Sequence, residues 1–231
     1  MINYLTQQMV VSQVPAGSKE DQPVIMPARL CLHFLRQASA IHAHGFKSYG
    51  VFTAEAGGSI FRPVDVWFFD PKQNRRNIPH NRAAFEAQGT YFRAHDDAGF
   101  VVDGKELLNV ERAVGEVGQT IVAPFHSHRR QPPNFSDIDY YLHNPFFSWH
   151  LVVCLRNPAT PTIQPFLVDK SFDDFGIDAS DRREGSERPY QGDNVRPLDL
   201  VVEGRQTELD EIASALGLWY SARELVCPVL A

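Results

Sequence analysis

The sequence predicts an α/β (α+β) fold, a mixed central β-sheet flanked by helices, with a C-terminal extension. Three observations predict it. Short runs rich in β-branched and aromatic residues, above all Trp149–Leu155 and Ile121–Phe125, read as buried strands. Segments at 27–44 and 104–117 carry apolar residues at helical spacing. The chain has 231 residues, 43% of them apolar and 22% charged, which is enough to bury a real core in one generous domain.

Taken in order, residues 1–23 are polar with one short apolar run, and read as an edge strand or a loose arm. The 27–44 segment is a helix, with Pro27 acceptable in its first turn and Gly45 placed to stop it. His33, His42 and His44 lie on or just after it. His42 and His44 have a metal-like spacing, but i and i+2 point to different faces of a helix, so they read as structural or solvent-facing. Tyr49–Thr53 and Ile60–Phe69 read as strands, with Glu55, Gly57 and Gly58 between them. Residues 70–81 form a polar loop, 82–93 a short helix, Phe100–Asp103 a hairpin arm and 104–117 a helix. Ser136–His143 is a helix that opens on a Ser-x-x-Asp capping box. Gln164–Val168 is a further strand.

The segment 171–197 is polar and lacks apolar periodicity, so it reads as a long loop or linker. Leu198–Val202 is a strand and Thr207–Leu216 a helix stopped by Gly217. The apolar ending, 218–231, would dock on its own core or on a partner. The domain expectation is therefore an arm at 1–26, a main domain at 27–170 with an insertion around 70–105, and an extension at 171–231.

Composition excludes several classes of function. The net charge is -6, so there is no global basic field for nucleic acid or an anionic membrane. No run approaches the length of a membrane span, and the N-terminus does not read as a signal peptide. Cys31, Cys154 and Cys227 are too few and too scattered for a disulfide framework or a cysteine metal site. The expected location is the cytoplasm, with reduced, buried thiols.

The informative stretch is His126-Ser127-His128, followed by Ser136 and Asp139. Chance would supply the four-residue pattern His-x-His-x7-Ser-x-x-Asp in about one such chain in a thousand. Two residues at i and i+2 in extended backbone face the same side, and two imidazoles there can hold one zinc at about 2.0–2.1 Å. Asp139, one turn into the next helix, is the third ligand, which leaves a fourth position open, as catalytic sites do. Glu55, beside two glycines, is the candidate general acid/base. Ser136 is either the helix cap, a donor to an oxyanion, or both. The bland alternatives are hydrogen-bonded core histidines, a capping-box acid at Asp139 and a turn carboxylate at Glu55. Arg129 and Arg130 are either solvated charge or a hold on an acidic substrate. Of the two further histidines near the site, His150 opens an apolar strand and reads as structural, as Trp149 reads as core.

Glu55 in Glu-Ala-Gly-Gly, then His-Ser-His-x7-Ser-x-x-Asp, resembles the JAMM motif of the JAB/MPN zinc metalloprotease family, of the bacterial type. The resemblance covers roughly residues 27–170. It implies the MPN/JAB (cytidine-deaminase-like) architecture. It also implies one zinc per chain on His126, His128 and Asp139, with Glu55 as acid/base and Ser136 assisting. Length and the 171–231 extension resemble the JAB component of bacterial PRTRC cassettes. The implied activity is cleavage of an isopeptide or peptide bond at the C-terminus of a ubiquitin-like or sulfur-carrier-like protein, with a ThiF/E1-like protein as a further partner. The other reading is a non-catalytic MPN-like scaffold. A zinc deaminase is excluded, because that chemistry expects His-x-Glu with Cys-x-x-Cys. Two departures stand out: Arg129 and Phe135 occupy positions where the family usually has proline. The 71-residue separation of Glu55 from His126 is long, which is why an insertion is expected. Glu86, Glu106, Glu111 and Glu116 are nearer in sequence but lack the Gly-Gly context.

Overall fold

The computed structural model describes residues 7–11, 21–87, 89–172 and 188–217. The apolar ending 218–231 with Cys227, and the charged run 181–188 save its last residue, lie outside them. Two sheets organise the chain. The larger has six strands, β3 (Tyr49–Glu55), β4 (Asp65–Phe68), β5 (Gln119–His128), β6 (Trp149–Cys154), β7 (Thr162–Val168) and β8 (Val195–Pro197), in the order β4-β3-β5-β6-β7-β8. It is mixed: β5 and β6 run parallel and every other neighbouring pair antiparallel. With helices packed on it, this is the mixed α+β architecture expected from the sequence.

The smaller sheet joins the two ends of the chain. β1 (Gln7–Val10) and β2 (Val24–Pro27) flank β9 (Leu200–Gly204), the first antiparallel to it and the second parallel. The segments read as an N-terminal arm and a C-terminal extension thus hydrogen-bond to each other. Helix α1 (Ala28–Ala43) follows β2 directly. It buries Leu30, Cys31, Phe34, Leu35 and Ala38, one face at helical spacing, and stops at Gly45, whose φ is +85°. Helix α6 (Gln206–Ala215) packs beside it. Phe34 meets Phe52 of β3 and Phe125 of β5 at 5.3 and 5.0 Å between ring centroids, which ties this layer to the sheet. Cys31 and Cys154 are free and buried, and burial pushes the Cys31 thiol up to about 12.

The other face of the sheet carries helix α4 (Gly104–Glu116), capped by Asp103, and a segment that differs from expectation. The 60–69 run forms a strand only at Asp65–Phe68. Pro63 has no N–H to give a ladder, the Phe61 carbonyl accepts from Ile25, and the Ile60 carbonyl accepts the Trp149 indole N–H. The expected helix at 82–93 is two, α2 (Pro79–Glu86) and α3 (Thr90–Ala94), parted at Gly89, where φ is +127°. Residues 100–103 form no hairpin; Phe100 and Val102 lie instead against the sheet.

This 70–103 segment folds around one buried arginine. Arg76 donates to the carbonyls of Ala98 (3.0 Å), Phe92 (2.6 Å) and His95 (3.4 Å), and to Asn77 Oδ1 (2.6 Å). Pairing of four of its five N–H donors is what lets the guanidinium sit at 0% exposure. Asn74 Oδ1 adds a clasp by accepting from Arg76 N and Val101 N. The segment forms a cap over the end of β5 that carries His126 and His128. Among the described residues no helix is long and apolar enough to cross a membrane.

Candidate metal centre

The last residues of β5 are His126, Ser127 and His128. They belong to the strand itself, so the i, i+2 geometry expected from the sequence holds, and both rings turn toward the cap. Ser127 turns the other way, where its Oγ accepts from the Ser48 backbone N–H at 2.7 Å. Helix α5 (Asp137–Leu142) then brings Asp139 back across the loop. Ser136 is its N-cap: Asp139 N donates to Ser136 Oγ, while Asp139 Oδ2 accepts from Ser136 N at 2.9 Å and from Ser136 Oγ at 2.6 Å. The far end of this short helix is held by Lys170, whose Nζ donates to the carbonyls of Tyr140, Tyr141 and His143.

The proton positions follow from the acceptors around the rings. His128 Nδ1 lies 2.7 Å from the Pro132 carbonyl, which can only accept. The proton of the neutral ring therefore sits on Nδ1, and Nε2 carries a lone pair. His143 Nε2 lies 2.7 Å from the Phe147 carbonyl, so His143 Nδ1 is the acceptor end. His150 Nδ1, 3.2 Å away, donates to it. His150 Nε2 in turn accepts from His126 Nδ1 at 2.7 Å, which leaves His126 Nε2 as a lone pair. Burial, first among the causes, holds His126 and His150 below the usual histidine range and pushes His143 down to about 4. Neutral rings are what this relay requires.

Two Nε2 lone pairs consequently face each other at 2.9 Å. Asp139 Oδ1 stands 3.2 Å from one and Oδ2 3.5 Å from the other. Burial alone would raise the Asp139 carboxyl; charge and hydrogen bonds from the two histidines, which they offer only when protonated, hold it well below the usual carboxylate range. Three donor atoms within 4.8 Å of one another thus point unshared pairs at one place. A proton satisfies such a set only pairwise, whereas a metal ion satisfies all three together. The donor set fits a metal ion, and each histidine has its other nitrogen held by a partner, as metal-binding histidines do.

These groups line a cavity of about 250 Å³ between sheet and cap. Its other walls are mostly apolar, with Tyr49 and Val51 from β3, Phe92 and Phe100 from the cap, and Ile138 and Leu142 from α5. Tyr49 stacks on Phe100 at 4.3 Å between centroids. The cap is latched to the loop after His128, because Asp97 accepts from Arg129 at 2.9 Å and from Arg130 at 3.2 Å. Both arginines thus share one carboxylate within the chain, Arg129 mostly buried and Arg130 half exposed. Phe135 is buried and packs its ring 5.2 Å from that of His150.

The structure does not bring Glu55 to this site. β3 and β5 are antiparallel: Tyr49 pairs with His126, while Glu55 pairs with Gln119 at the other end. Seven residues of extended strand put it about 20 Å from the histidines. Glu55 is exposed, in a turn closed by Gly58 N to Glu55 O. Glu86, Glu106, Glu111 and Glu116 do not line the cavity either. Ser136 is brought to Asp139, but its hydroxyl is spent on that carboxylate and on the helix cap.

The structure assembles four further residues here. His150, read as structural from its place at the start of an apolar strand, is buried and hydrogen-bonded through both ring nitrogens, while His143 and Lys170 gain their roles only from the fold. The fourth, Lys47, lines the cavity from just before β3. The usable signal was antiparallel pairing, since a strand that pairs antiparallel with the histidine strand brings its beginning to the histidines, not its end.

No protein-family model and no curated protein matches the sequence. Among solved structures, the chain is similar to protein DSY2949 from Desulfitobacterium hafniense. The identity is 17%, the TM-score 0.49, and the match covers 77% of this chain and 91% of that one. It is also similar to AF2198, a JAB1/MPN domain protein from Archaeoglobus fulgidus, at 13% identity and a TM-score of 0.35, covering 64% of this chain and 90% of that one. Identities and TM-scores are low in both cases, so the reading of the site rests on its own atoms.

Proposed function

We propose that this protein is a zinc-dependent hydrolase of the JAMM type, acting on an isopeptide or peptide bond at the C-terminus of a ubiquitin-like or sulfur-carrier-like protein. The observation that carries the proposal is the convergence of the His126 and His128 Nε2 atoms with the Asp139 carboxylate in a capped cavity. A zinc ion held by these three residues would supply Lewis-acid polarisation of a carbonyl and activation of water. The remaining work belongs to the chain. Ser136 and Lys170 hold the helix that aims Asp139. Pro132 and the His150–His143 relay hold the two rings. The cap sets apolar side chains, Phe92 and Phe100 among them, beside the site, and such low-dielectric walls strengthen electrostatic interactions next to them.

One observation favours a second reading, an MPN-like scaffold without catalysis that binds a ThiF/E1-like or ubiquitin-like partner. Among the described residues lining the cavity, Asp139 is the only carboxylate, so no second one is at hand to move a proton. Elemental analysis and a cleavage assay separate the readings. The purified chain should carry about one zinc, lost in His126→Ala/His128→Ala. Incubated with ubiquitin-like and sulfur-carrier-like proteins bearing C-terminal extensions, the zinc form should shorten one of them by mass spectrometry, and the double variant should not. Zinc without cleavage selects the scaffold. No zinc, even after reconstitution, removes the hydrolase reading and leaves the scaffold, with residues 126–139 in a structural role.

A further inference from the structure

Lys47 is the group in the cavity that neither the fold nor the metal centre accounts for. It is 6% exposed. Its Nζ has one hydrogen bond, a long one of 3.4 Å to Gln131 Oε1. Among the described residues no carboxylate lies within ion-pair distance of it. An ammonium carries three donors, and a buried charge is kept only where something compensates it. Burial pushes the Lys47 amine down to about 8, with Asp97 and Asp139 acting in the opposite sense, so it remains mainly charged at neutral pH. The cavity that it lines has room for more than a benzene ring, which needs about 150 Å³. Apolar walls, one unspent cation and the His126, His128 and Asp139 cluster therefore share one enclosure.

We propose that this cavity binds the free C-terminal carboxylate of a peptide whose last residue is apolar. Lys47 pairs with the carboxylate, Val51, Phe92, Phe100 and Ile138 enclose the side chain, and the preceding peptide carbonyl is turned toward the metal centre. This rests on the hydrolase reading above and narrows it to exo cleavage. The C–N bond of the last peptide link breaks and water supplies the new C–O bond. The leaving nitrogen takes a proton from that water, releasing one apolar amino acid and a chain one residue shorter. An amidated or internal bond would leave Lys47 unpaired, so the site discriminates by charge.

The test is calorimetric binding of N-acetylphenylalanine and of its uncharged amide to the full chain, both metal-free and zinc-loaded. The metal-free arm matters because no ion there competes with Lys47 for the carboxylate. In the wild type the acid should bind at least about 10-fold more tightly than the amide. In Lys47→Met that ratio should fall to near one, with binding of the amide retained. The wild-type ratio alone decides the matter should the variant fail to fold. Equal affinity for acid and amide, or no binding of either, overturns the proposal, as does a ratio that survives in folded Lys47→Met. Cleavage of ubiquitin-like fusions without acid preference would leave the hydrolase reading standing and this one lost. Acid preference without any cleavage would keep the carboxylate-binding site and remove the exo step together with the hydrolase reading.

Discussion

Lys170 and Lys47 are both buried, at 7% and 6% exposure, yet their ammonium groups meet different surroundings. Lys170 finishes a helix. Its three hydrogen bonds, of 2.9, 2.6 and 2.9 Å, go to carbonyls at the end of α5, and its Nζ lies 5.2 Å above the Tyr140 ring. Lys47 enters a cavity and has one weak bond to a neutral amide. Arg76 sides with Lys170: it is fully buried and makes four side-chain hydrogen bonds. A cation whose donors are all used holds structure together. One whose donors are idle costs stability, and a chain that keeps it has a use for it elsewhere.

That contrast can be broken or sharpened by measurement. The largest effect should come from Lys170→Met, which leaves the carbonyls at the end of α5 unpaired. Chemical denaturation should show a loss of about 3 kcal/mol. A variant as stable as the wild type would mean that Lys170 is no more structural than Lys47. Next is acid. His143, held at about 4 in the folded chain against an ordinary 6.5, takes up its proton in the unfolded chain first. Stability of the metal-free protein is therefore full above about pH 6.5 and falls as the pH drops toward 4, by roughly 3 kcal/mol from this residue. In His143→Gln, whose amide can still donate to Phe147, the fall over that window should be shallower.

The third effect concerns the relay. His150→Phe fills the same space but gives His126 Nδ1 no acceptor, and zinc affinity by competition with a chelator should weaken about 10- to 100-fold. Unchanged affinity would show that His126 is aimed by packing alone. A smaller effect of opposite sign is expected at Lys47→Met. Removing an underpaired charge should stabilise the chain by about 1 kcal/mol, so the two lysine variants should move the denaturation midpoint in opposite directions. The smallest belongs to Asp97→Asn. Its arginine partners are partly exposed, so equilibrium stability should shift by less than about 1 kcal/mol, while hydrogen exchange of the cap, 89–100, should quicken.

Much of the frame was legible because it depends on neighbours in sequence. The apolar face of α1, the Ser136–Asp139 capping box and the alternation that turns His126 and His128 to one side are written within a few residues each. The cap was not legible in this way. Its helices are short, and its organiser, Arg76, looks like surface charge until four acceptors from 77 to 98 close around it. Glu55 shows the same limit from the other side. Its glycine context is local and real, but whether it reaches the histidines depends on which end of β3 lies beside which end of β5.

By itself, then, the sequence determined the local periods, the caps and one set of metal-type donors, since those follow from backbone geometry over a turn or a strand. Tertiary structure alone decided that Lys47 rather than Glu55 shares the cavity, that β1 and β2 meet β9, and that His150 and His143 aim His126. Each of these is a contact between segments far apart in the chain. Strand direction, register and burial set such contacts, and no short stretch of residues encodes them.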